Sequence, residues 1–98
     1  MRYRIAAAAE QELDEAVEWY YQQQAGLQQQ FLDEFRSTIA RIQARPLIYQ
    51  ELKPDLRRVL MRRFPYSVIY EISDDSLLIL AIAHLHRRPF FWHSRPAP

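Results

Sequence analysis

Cysteine is absent from these 98 residues, and glycine occurs once, at Gly26. The first absence excludes disulfides, thiolate zinc sites and a cysteine nucleophile together. The second leaves almost no backbone able to wrap a phosphate closely. A phosphate-binding loop and the glycine-rich elbow that exposes a catalytic serine are accordingly both missing. No apolar run reaches the roughly 18 residues that span a bilayer. The opening Met1-Arg2-Tyr3-Arg4-Ile5 lacks the apolar stretch of a secretory signal. No membrane association is expected, and the cytoplasm is the expected compartment.

What is present suits a globular protein: 49% hydrophobic and 26% charged residues. The length predicts a single domain over residues 1–98, with 94–98 a flexible tail. The net charge of +1 conceals an asymmetry. Residues 1–56 hold six Lys+Arg against nine Asp+Glu, whereas residues 57–98 hold seven arginines against three acids. An acidic first half and an arginine-rich second half can fold into a molecule with one basic face.

Periodicity divides the chain. Arg2 to Ile5 alternates as a short edge strand with Tyr3 and Ile5 inward. From Ala7 to about Gln24, Ala9, Leu13, Ala16, Val17 and Tyr20 recur at helical spacing. Glu10, Glu12, Asp14, Glu15 and Glu18 fill the remaining positions. Gly26 supplies the positive φ of a helix end. A second helix carries Leu27, Phe31, Phe35, Ile39 and Ile42 on one stripe until Pro46 stops it. The short link predicts an antiparallel helical hairpin. Tyr49 to Leu52 is a short strand or an irregular link. Leu56–Phe64, 66–72 and 77–85 then follow as strands, the last two joined by Ser73-Asp74-Asp75-Ser76. The run Leu77 to Ala83 is apolar on both faces, as a central strand requires. The expected fold is α+β: an N-terminal strand, then the helical hairpin packed on a small, mainly antiparallel sheet of about four strands.

The chemistry concentrates after the last strand, in His84-Leu85-His86-Arg87-Arg88-Pro89-Phe90-Phe91-Trp92. Cations and aromatic faces together suit a partner bearing phosphates and bases, or an acidic protein segment. His84 and His86 are expected on opposite faces, too far apart to share an ion, and His93 has no carboxylate at ligand spacing. No metal and no cofactor is expected. Cleavage of RNA needs only a base to deprotonate a ribose hydroxyl and cations to hold the developing charge. Arg58, Arg62, His86, Arg88 and Trp92 are the groups available for it, and Phe90, Phe91 and Trp92 could stack on bases. Alternatively, Phe90 and Phe91 pack under the C-terminal edge and His84 sits neutral near the core.

Three segments resemble the RelE/ParE toxin superfamily. They are Ala9 to Tyr20, Phe64 to Tyr70, and Ala83 to Arg95, the last being the most specific. The resemblance implies a bacterial type II toxin with a strand-helix-helix-sheet fold, encoded beside an antitoxin that wraps and neutralises it. The RelE branch cleaves messenger RNA in the ribosomal A site; the ParE branch inhibits DNA gyrase. By alignment, Arg58 falls at one basic position of the ribonucleases. Leu60 and Ser67 occupy two others, His86 takes the place of a catalytic arginine, and Trp92 that of a tyrosine. A leucine can neither donate a proton nor hold an oxyanion, so the resemblance implies the ParE-like branch: a gyrase inhibitor that is not itself an enzyme. The alternatives are a ribosome-dependent mRNA endonuclease using Arg58, His86, Arg88 and Trp92, or an inactive toxin-like binding module.

On this reading the target contacts are Arg58, Arg62, Arg63, His84, His86, Arg87, Arg88 and Trp92. The antitoxin contacts are Trp19, Tyr20, Tyr21, Arg62 and Arg63, within a toxin–antitoxin hetero-oligomer. A disordered antitoxin segment is expected to fold onto the chain and pair its acids with these arginines.

Overall fold

The helical stripes need a surface to cover, and the second half of the chain builds it. In the computed structural model of the protein, which describes residues 1–86, the order is β1 (Arg2–Ile5), α1 (Ala7–Gln23), α2 (Leu27–Ala44), β2 (Gln50–Lys53), β3 (Leu56–Leu60), β4 (Tyr66–Ser73) and β5 (Ser76–His84). The strands form one sheet in the order β1-β5-β4-β3-β2. β1 runs parallel to β5, and every other pairing is antiparallel. The helical hairpin therefore carries the chain from one outer edge of the sheet to the other.

The sheet has five strands rather than about four. The additional one is β2, which pairs Gln50 with Arg58 and Glu51 with Arg57. The turn after it places Asp55 at φ 65, in the left-handed region that Asp tolerates better than most residues. β3 ends at Leu60, short of the expected Phe64. The backbone there leaves the ladder, because the Arg63 N–H is bonded by the Glu34 carboxylate of α2. Tyr3 is also less inward than its alternation suggests, at 42% exposure on the edge strand. Gly26 has φ 90 between the helices, as its position predicts.

β5 does lie inside the sheet, but its alternation is broken. Tyr70 faces Ile79 and Ile69 faces Ala81, leaving Leu80 as the extra residue of a β-bulge. Before the bulge, Leu77 and Ile79 join the core beneath the helices; after it, Ile82 does so. Leu80 and Ala81 belong instead to a second apolar cluster with Leu56 and Ile69. The bulge thus resets which side chains face α1.

The core contains an aromatic tetrad with one ring from each of four segments. Tyr20 of α1 stacks on Phe31 of α2 at 5.2 Å between centroids, and both meet Phe64 edge-on at 5.0 and 5.2 Å. Tyr66 of β4 closes the group, edge-on to Phe31 at 5.2 Å. Burial raises the Tyr20 phenol to about 12, helped by the phenol of Tyr66 and a hydrogen bond to it. Burial likewise raises Tyr70 to about 12 against the opposing pull of Arg57, and its hydroxyl donates to the Pro46 carbonyl.

These phenols stay protonated in the folded chain, while an unfolded chain releases them near pH 10. Stability is therefore expected to fall between about pH 10 and pH 12 by about 1.4 kcal/mol per pH unit and group. Urea unfolding followed across that range should show the decline, and Tyr70→Phe should flatten it.

Candidate functional site

α1 places Glu12, Ala16 and Tyr20 on one face, four residues apart, all buried. A carboxylate in that stripe needs a donor, and the sheet supplies one. β1 ends at Ile5, and the Ala6 N–H makes the next bond to the Ile79 carbonyl at 2.9 Å. β5 continues beyond its neighbour, and Glu12 Oε1 accepts the Ile82 N–H at 2.9 Å. The side chain takes over where the edge strand stops.

Next to this bond, between α1 and the end of the sheet, is a cleft of about 500 Å³. Glu12, Glu15, Trp19, Tyr20, Tyr66 and His84 contribute to its walls. Trp19 is 57% exposed and meets Tyr20 edge-on at 5.2 Å, so one aromatic faces solvent while its neighbour is held in the core. His84 packs edge-on against Tyr66 at 4.9 Å. Its Nδ1 accepts the His86 N–H at 3.1 Å, and the two imidazole centroids lie 5.1 Å apart. The expectation of opposite faces is thus corrected: residues two apart share a side of an extended chain. Among the described residues, no group of three metal-ligating side chains is placed to hold an ion.

The arginines divide by use. Arg57, half-buried, donates to the carbonyls of Leu47 and Tyr49 at 3.1 and 2.9 Å and to Glu51 at 3.1 Å. It clips the loop between α2 and β2. Arg63 donates its Nε to the buried Glu34 at 3.2 Å, joining the two backbone bonds from its N–H. Arg58 donates twice to the Gln50 side-chain oxygen, at 3.2 and 2.7 Å, an amide that leaves its charge uncancelled. Arg62 is exposed.

The fold brings Arg62, Arg63, His84 and His86 to one end of the sheet, where β3 ends, β4 begins and β5 ends. Arg58 lies farther along β3. Of the expected antitoxin contacts, Trp19 and Tyr21 are exposed and Tyr20 is buried. Arg87, Arg88 and Trp92 lie outside the described residues, as do the expectations for Phe90, Phe91 and the tail.

Two acids escaped notice in the sequence. Glu12 counts among the solvent-face acids of α1 by composition, yet sits four residues from Ala16 and eight from Tyr20 on the buried stripe. Glu34 sits three residues after Phe31 and four before Thr38, likewise on a buried stripe. Spacing was the available signal in both cases.

A strand, a helical hairpin and a mixed five-stranded sheet define a small α+β fold with the hairpin on one face of the sheet. Over residues 3–89 the chain matches the family described as ParE toxin of type II toxin-antitoxin system, parDE, and it belongs to that family. Among solved structures it is similar to one titled "Chromosomal ParDE TA system from P. aeruginosa", with a TM-score of 0.62 and 15% identity, covering 88% of this chain and 97% of that one. No curated protein matches it.

Removing Glu34 strands the Arg63 N–H, whereas removing the Arg63 side chain does not. Glu34→Ala should cost about 2–4 kcal/mol in chemical denaturation. Arg63→Ala, its side chain 64% exposed, should cost under about 1 kcal/mol.

Proposed function

We propose that this ParE-family toxin acts in the cytoplasm by binding and inhibiting DNA gyrase without catalysis, and that a cognate antitoxin neutralises it. The observation that carries this choice of target is a pair of facing residues. Leu60 of β3 pairs with Ser67 of β4. They stand where the resemblance places two basic groups of the ribonuclease branch. Leu60 offers an exposed aliphatic surface, and Ser67 is buried at 3% exposure. Neither can stabilise the negative charge that grows on phosphate during RNA cleavage. A non-covalent inhibitor needs only a surface, and exposed Arg62 with Arg58 nearby supplies cations for one.

An antitoxin also fits the exposed indole and phenol of Trp19 and Tyr21 on α1, since large exposed aromatics mark protein interfaces. The resulting assembly is a toxin–antitoxin hetero-oligomer.

The purified chain, free of antitoxin and in stoichiometric excess, should block supercoiling of relaxed plasmid by gyrase. Arg62→Ala should raise the concentration needed several-fold. Unchanged supercoiling, with codon-specific cuts in ribosome-bound message that vanish on Arg58→Ala, would transfer the assignment to the endonuclease branch.

A further inference from the structure

We infer that the cleft between α1 and the end of the sheet is a receptor for a cationic side chain, arginine above all, presented by a protein partner. The inference rests on the antitoxin reading for the identity of that partner, and it reverses the expected charge of the segment that reaches α1.

The charge of α1 has one sign. Its 17 residues include five carboxylates and no lysine or arginine. Among the described residues, Glu10, Asp14, Glu15 and Glu18 enter no ion pair. Glu10, Asp14 and Glu18 follow one another at four-residue spacing, where like charges repel along a helix. Asp14 and Glu18 lie outside the cleft, on the neighbouring surface they share with Glu15 and Trp19, where they add negative potential beside its mouth.

The cleft adds shape to charge. Glu12, at 8% exposure, is fixed on the cleft wall by its bond to the Ile82 N–H. Glu15 stands one helical position away from Ala16 at the exposed side of the same cleft. Trp19 follows Glu15 by four residues, which sets its indole beside that carboxylate. A planar guanidinium can stack on an indole while donating to a neighbouring carboxylate; a compact ammonium does this less well. The volume of about 500 Å³ accommodates a long side chain and the backbone that bears it. Among the described residues, no arginine or lysine lines the cleft, and His84 is the one basic side chain in its wall.

The test is titration of the isotope-labelled full chain with N-acetylarginine amide, followed by the Trp19 indole and Ile82 amide resonances. N-acetylcitrulline amide, which has the same shape without the charge, is the control. Saturable shifts with the arginine compound alone are expected. Glu15→Gln and Trp19→Ala, both at exposed positions, should each weaken the binding by at least about threefold. Equal responses to citrulline, or binding unmoved in both variants, would overturn the inference.

A second measurement separates this from the antitoxin reading. With the protein encoded beside the toxin gene as probe, a complex equally tight for wild type and both variants overturns the cleft's role and leaves the antitoxin reading intact. Absence of any complex overturns the antitoxin reading, and the arginine titration then decides the cleft alone.

Discussion

The aromatic tetrad of Tyr20, Phe31, Phe64 and Tyr66 is the contact on which the rest of the structure depends. It takes one ring from each helix, one from the loop after β3 and one from β4, so it ties both helices to the sheet through directional contacts. Edge-on and stacked rings at about 5 Å are directional, unlike aliphatic packing. On either side of the tetrad a buried helical carboxylate grips sheet or loop backbone: Glu12 holds Ile82, and Glu34 holds Arg63. Such buried acids cost desolvation, and their contribution is to specify position more than to add stability.

That arrangement decides which charges remain for partners. Arg57 and Arg63 are occupied in closing a loop and meeting a buried acid. Arg58 and Arg62 are left with their charge facing outward. Beside the same end, across a cleft that includes His84, α1 collects carboxylates around an exposed indole. The molecule therefore offers a cationic end of the sheet and an anionic helix, two surfaces suited to partners of different chemistry.

The helical hairpin was legible because 3.6-residue periodicity, Gly26 and Pro46 all agree. The interior position of β5 was legible from its uninterrupted apolar run. β2 was ambiguous, since Gln50 to Lys53 carries little apolar pattern and holds its place through pairing with β3. The bulge at Leu80 could not be seen in a run where every residue is apolar, because no polar position marks the change of phase. Of the site, the exposure of Trp19 and the gathering of Arg62, Arg63, His84 and His86 follow from the element order. The use of Arg63 by Glu34 does not, because it joins residues 29 apart in the chain through a contact only the packed fold creates.

β1 bonds to β5, so the first strand made by the ribosome has no neighbour until the last one emerges. During vectorial synthesis the helices can associate early, while Arg2 to Ile5 must wait for Ser76 to Ile79. Closure of the sheet edge is thus a late event in the life of the nascent chain. Until β5 is made, the fold lacks the strand that joins β1 to the rest of the sheet.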